Sequence, residues 1–253
     1  MIVKYLLAAL VAGLFSGVLM TAAQEFRVVP LILHAEEYEG KEPAPAAGEV
    51  QEHSSLSLGA IIGEAVSYFS PVTPAYAHEG HEEEEGGIMF GMSRFSGTLL
   101  ANLVTGAGFA LLLAGVSLVT GNAITLSNGA LWGAGGWLAV HMLPAIGLPP
   151  ELPGFPAAEL ADRQVWWIAT VVLSAVGIYL LCLKSGLVAK IAGVVLIAAP
   201  QVYGAPQPTD IASAVPAVLG AEFAVAALAT TLFFWIVLGL SLGLANEKIA
   251  KAA

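Results

Sequence analysis

Long apolar runs separated by short polar breaks dominate the chain, and their lengths predict helices sized for a bilayer, at about 20 residues per crossing. The first run is 2–23 (IVKYLLAALVAGLFSGVLMTAA). Its apolar part, Tyr5 to Ala23, exceeds the about 7–15 residues of a signal-peptide core, so a retained helix is expected over a leader cleaved near Ala23. Further spans are predicted at 96–119, 128–146, 164–183, 187–201 and 217–244. The fifth is the shortest, contains Lys190 and ends at Pro200.

Between the first two runs lies a polar insert. Phe26 to Leu33, broken by Pro30, is expected to pack at the membrane surface. Residues 40–57, rich in Gly, Pro, Ala and Glu, read as a linker. Leu58 to Phe69 has the spacing of an amphipathic surface helix, and Ala77 to Glu85 (AHEGHEEEE) is the most charged stretch of all. The expected organisation is a first transmembrane helix over 1–23, an acidic extracytoplasmic loop over 24–95, and a helical membrane bundle over 96–253 with a proline-rich loop at 144–163.

That loop belongs to the stretch Leu143 to Trp167, which holds Pro144, Pro149, Pro150, Pro153 and Pro156. Prolines this dense fix φ and remove N–H donors, which excludes regular helix or central strand. Helix-forming character returns over Ala157 to Gln164, and Trp166 and Trp167 stand where indoles favour a membrane–water boundary. The stretch is a rigid connection between helices, an ordered cap over a polar site, or both.

Composition agrees. Hydrophobic residues are 57% and charged residues 11% of 253, against about 25% charged in soluble domains. The predicted fold class is therefore an all-α integral membrane protein, a bundle of about six transmembrane helices with five as the alternative. The single Cys182 excludes a disulfide framework or a thiolate metal cluster within one chain. Residues 24–95 carry thirteen acids against Arg27, Lys41 and Arg94, and so the whole net charge of −10. Such a field collects cations and repels nucleic acid. With six spans and both termini cytoplasmic, Lys4, Lys184, Lys190, Lys248 and Lys251 all face inward, as the distribution of basic residues requires. Ala161-Asp162 and Ile168-Ala169-Thr170 are echoed by Ala221-Glu222 and Leu228-Ala229-Thr230, so spans three–four and five–six are either duplicated hairpins or a chance likeness.

Two sets of side chains have metal chemistry. His78 and His81 lie three apart, on one side of any helical turn, and Glu82 and Glu83 begin a run of carboxylates. Imidazole with carboxylate and no thiolate suits borderline divalent ions such as cobalt, nickel or zinc. Ordering so polar a segment costs conformational entropy, so it reads as a collector, or else as a solubilising loop with incidental histidines. His141 lies about one turn before Pro144 inside the third span, where a polar group is expensive and faces a cavity or the bundle interior. Asn102, Asp162, Gln164, Gln201 and Glu222 fall at the same depth, and Gln24 closes the first span. His141 and Glu222 are the expected membrane metal ligands. Asn102, Asp162, Gln164, Gln201, His34 and Glu36 are expected along the pathway. Capping accounts for some of the amides. The glycines Gly106, Gly108, Gly133, Gly135, Gly136, Gly239 and Gly243 predict close helix contact, and Thr170, Ser174, Thr230 and Thr231 interhelical hydrogen bonds. No Walker motif, nucleophile elbow or HExxH is present, so an enzyme is not expected.

Over nearly its whole length the chain resembles the CbtA family of predicted cobalt transporter subunits. The matching pieces are Val29 to Tyr38 (VPLILHAEEY), the His/acid tract His78 to Glu85, Gly147 to Trp167 (GLPPELPGFPAAELADRQVWW) and Ala199 to Pro208 (APQVYGAPQP). Leu228-Ala229-Thr230 with Phe234-Trp235 completes the set. The resemblance implies a bacterial inner-membrane protein moving Co2+ inward for cobalamin synthesis, with no permanently bound cofactor. It also implies a partner, the small single-span CbtB with a histidine-rich end, and about five spans where the hydropathy pattern has six. Two departures stand out: His34 replaces an expected acid, and Leu56 to Ala77 is more apolar than the family pattern. The alternative is a non-transporting membrane scaffold or metal-binding accessory subunit that works only with the partner.

Overall fold

The computed structural model describes residues 2–38 and 92–251. The elements are α1 (Ile2–Arg27), α2 (Val29–Glu36), α3 (Arg94–Thr120) and α4 (Gly129–Trp137), then a π-helical turn (Leu138–Met142) running into α5 (Leu143–Ala145). α6 (Leu160–Leu183), α7 (Leu187–Tyr203) and α8 (Ala217–Lys251) follow. Four helices, Val3–Arg27, Arg94–Thr120, Leu160–Leu183 and Ala217–Ile249, are long and apolar enough to cross a membrane, and Leu187–Tyr203 is a shorter apolar helix. At about 1.5 Å per residue each of the four exceeds the roughly 30 Å of a hydrocarbon core.

Several boundaries differ from the sequence expectation for local reasons. α1 continues past Gln24 to Arg27. Pro30 opens α2 instead of breaking an apolar stretch, because a proline in the first helical turn loses no hydrogen bond. α7 runs through Pro200 to Tyr203 and stops at Gly204, whose φ of 91° suits glycine. α8 extends seven residues past Leu244 to Lys251.

Glycines set the pairing. α1 and α3 run antiparallel with Gly13 against Gly106 and Gly17 against Asn102, so close that a Cβ on either glycine would strike the facing backbone carbonyl. α4 and α8 meet the same way, Gly129 against Gly239 and Gly133 against the backbone of Trp235, with Gly243 against Thr125 just before α4. α6 and α7 join at Gly177 and Gly193. Without a hydrophobic drive between helices in lipid, such backbone approach is where packing energy comes from. Gly108 meets no neighbour within 4 Å and Gly135 only the Ile178 side chain at 3.9 Å, so those two do not mediate a close contact. α8 thus packs against both α4 and α1, and α6 against α7. The hairpins suggested by the internal echo are not the packing units.

The core joins α1, α3 and α8 through Ala9, Met20, Leu113, Phe234, Trp235 and Leu238, with Trp132 and Trp137 of α4 packed against it. A second cluster lies where α2, the proline-rich loop and the N-terminal part of α8 meet: Ala35, Leu152, Val215 and Leu219, with Phe155 and Phe223 packed on it. Gly220 leaves the space that the Phe155 ring fills. The four hydroxyls expected to bridge helices bond largely within their own. Thr170 donates to Trp166 O, Thr230 to Ala226 O and Thr231 to Ala227 O, since an i−4 carbonyl is always within reach of a helical hydroxyl. Thr231 also accepts from Trp137 Nε1 of α4 at 3.2 Å, and Ser174 Oγ is enclosed without a partner.

Replacing Gly133 or Gly239 by valine inserts a branched side chain where backbones touch. The expected loss is about 3 kcal/mol, checked by thermal unfolding of the detergent-solubilised protein. The same change at Gly108 should be near neutral.

Candidate functional site

His141 owes its position to a proline. Pro144 has no N–H for the Val140 carbonyl, and the ladder there widens to a π turn in which Leu143 N bonds Leu138 O. π turns of this kind recur at functional sites. The neighbouring Leu143 carbonyl accepts the Gln201 side-chain amide at 2.9 Å, which ties the end of α7 to this irregular segment.

The imidazole lies between two environments. On the bundle side Trp235 Nε1 donates to His141 Nδ1 at 3.1 Å, the rings meeting edge-on at 74°. Phe109 approaches both, with ring centroids 6.2 Å from His141 and 4.8 Å from Trp235. On the other side His141 lines an open cleft of about 1050 Å³. Pro144, Glu151, Arg163, Gln164 and Trp167 also line it, so its wall is the proline-rich stretch and the first turns of α6. Arg163 and Glu151 form an ion pair at 2.9 Å, which cancels the one cation lining the cleft among the described residues with an acid from the proline-rich loop. Trp166 is buried, its ring against Gly147, and its Nε1 is enclosed with no hydrogen-bond partner.

The other expected site residues are distributed as follows. Gln164 joins His141 at the cleft. Gln201 touches the segment carrying His141 through its backbone bond, as a structural tie. Asn102 donates to Thr21 Oγ1 at 3.0 Å and to Gln24 Oε1 at 2.6 Å, clasping α3 to α1 away from the cleft. Glu36 pairs with Arg94 at 2.9 Å, joining the end of α2 to the start of α3, and His34 is exposed beside Tyr38. Asp162 and Glu222 are exposed, and neither lines the cleft. His78, His81, Glu82 and Glu83, with the helix expected at Leu58 to Phe69, lie outside the described residues. Among the described residues no three His, Cys, Asp or Glu side chains converge as a metal cage would require.

A match to a family model over residues 2–247, described as probable cobalt transporter subunit, spans nearly the whole chain. The chain belongs to the CbtA family. No curated protein and no solved structure is detectably similar to it. In this CbtA chain the sequence pattern named His141 and Gln164, which line the cleft, but passed over the roles of four residues. Trp235 takes up the histidine nitrogen from 94 positions away, and no local spacing announces that. The Arg163–Glu151 pair was visible as charges in the proline-rich stretch, though not as a pair across twelve positions. Glu25, at the end of α1, has one carboxylate oxygen enclosed without a hydrogen-bond partner and read simply as one more acid of the insert.

Replacing Gln201 by leucine removes the side-chain donor to the Leu143 carbonyl. A loss of about 1 kcal/mol in unfolding free energy is expected, together with faster amide hydrogen exchange confined to 138–148.

Proposed function

We propose that this CbtA chain carries a divalent metal, cobalt by family, across the bacterial inner membrane. It crosses six times with both termini in the cytoplasm, and α7 and the helical segment from Gly129 to Ala145 supply the two shorter crossings. The three antiparallel glycine-paired couples support this arrangement, because they gather Lys4, Lys184, Lys190, Lys248 and Lys251 at one end of the bundle. Lys190 itself donates to the Leu181 carbonyl, serving the end of α6, which accounts for a lysine in so short an apolar helix. The other end bears α2, the proline-rich loop and the margins of the acidic insert.

The observation that carries the route is His141 at the cleft beneath the proline-rich wall. The acidic insert, with His78, His81, Glu82 and Glu83, collects the ion. His141 then takes it as a transient ligand at the level where the helices become continuous. Exposed Glu222 and Asp162 contribute field at the mouth rather than direct ligation, and the remaining ligands are water. Without a nucleotide-binding motif, energy comes from a small CbtB-type partner, a gradient or the inside-negative membrane potential.

One observation favours a second reading, a scaffold or metal-binding accessory subunit that passes no ion alone: no three-ligand cage exists among the described residues. Purified chain in sealed vesicles separates the two, since a scaffold by itself would move no radiolabelled cobalt. In cells expressing the chain with and without its partner, His141→Ala is expected to abolish cobalt accumulation. Deleting 78–85 should only raise the concentration required, by about tenfold if the tract contributes roughly 1.4 kcal/mol of local ion enrichment. Unchanged uptake in the His141 variant would refute the route.

A further inference from the structure

A neutral imidazole has one nitrogen lone pair and one N–H. Trp235 donates its indole N–H to Nδ1 of His141, so the lone pair is taken and the proton resides on Nε2. The indole is not free to leave by turning. Trp235 is 2% exposed, its six-membered ring fills the space at Gly136, and Phe109 and Phe234 stand against it. A metal that uses Nδ1 must displace the indole N–H. A metal that uses Nε2 must drive the proton onto Nδ1, which then opposes the same N–H. Both modes cost the Trp235 hydrogen bond.

We propose that Trp235 is a positioning residue that detunes His141, holding it in the Nε2–H form so that a divalent cation binds loosely and moves on. The inference rests on the reading of His141 as a transient ligand. A conducting site must bind strongly enough to admit an ion and weakly enough to release it. An imidazole already engaged by a packed indole has the right handicap, and the handicap is built from a residue that never touches the ion.

The test compares the full chain in lipid nanodiscs with Trp235→Phe and His141→Ala, measuring Co2+ affinity by calorimetry. Phenylalanine keeps most of the aromatic volume and removes the donor. Co2+ binding at His141 is expected to tighten about fivefold, the equivalent of one hydrogen bond of ~1 kcal/mol, and cobalt release from preloaded vesicles to slow in step. Damage to packing alone would weaken binding instead. If His141→Ala removes a Co2+ site and Trp235→Phe leaves its affinity unchanged or lower, the detuning is wrong and the ligand reading survives. If His141→Ala changes nothing, both fall. A further measurement needs no tryptophan variant: 15N spectra of histidine-labelled native chain before cobalt addition, with His141 assigned by its absence in His141→Ala. The Nε2–H tautomer is expected, and a dominant Nδ1–H form overturns the proposal even if the phenylalanine variant does not fold.

Discussion

Backbone contact between α4 and α8 is the constraint on which the rest of the site depends. Gly129 and Gly133 lie against Gly239 and the backbone at Trp235, close enough that no side chain fits between them. That closeness decides where the Trp235 ring goes. It must lie along α4, and Gly136, one turn after Gly133 and itself without a side chain, is the place left for it. The indole N–H then reaches His141 and its ring meets Phe109. Trp137, on the same short helix, anchors the pair from the other side by donating to Leu228 O and Thr231 Oγ1. A wider separation of the two helices would dissolve this whole arrangement, because each of its polar bonds crosses that interface.

Irregularity is confined to where it has compensation. In lipid an unpaired backbone carbonyl costs several kcal/mol, so a proline inside a crossing requires substitute partners nearby. Pro144 is buried within α5, where the ladder widens to the π turn, and the Leu143 carbonyl beside it accepts both Ile146 N at 3.3 Å and the Gln201 side-chain amide at 2.9 Å. The opposite end of the bundle is stitched by ordinary loop chemistry. Leu126 N bonds Glu247 at 2.8 Å and Asn246 bonds the Ile124 carbonyl at 3.0 Å, fastening the turn before α4 to the end of α8. One end is thus held by short polar bonds. The other carries a hydrophobic cap made of α2, the proline-rich loop and Val215 to Phe223.

The helical class and the long apolar helices were legible because lipid imposes a single-valued rule: about 20 apolar residues without charge have no alternative use. The cost of intramembrane polarity likewise drew attention to His141, Asn102 and Gln201, all of which do engage partners. What that rule cannot convey is which partner. Depth places residues on a level and says nothing of their azimuth around each helix, so Asn102 turned out to clasp α1, while Glu222 and Asp162 are exposed. Helix pairing was illegible for a related reason. The echo between 161–170 and 221–230 reports similar local composition, whereas pairing is decided by where glycines on two helices coincide in height. The π turn was hinted at by Pro144 alone, since a proline says that the ladder must change without saying whether it kinks or widens.

A lone imidazole cannot repay the dehydration of a dication, which runs to tens of kcal/mol for even a single charge taken into a low-dielectric medium. The cleft does not require that exchange. Six waters at about 30 Å³ each occupy roughly 180 Å³, a small part of the about 1050 Å³ available beside His141. On the proposed route the ion therefore arrives with most of its water and exchanges one ligand. The Arg163–Glu151 pair matters here: an unpaired guanidinium at the wall would repel a dication by about 2 kcal/mol per charge at 8 Å in a medium of effective dielectric near 20. Glu151 removes that barrier while leaving the arginine in place to hold the proline-rich loop against α6. Discrimination among similar divalent ions then falls outside this cleft. One imidazole and a shell of water distinguish cobalt from nickel poorly.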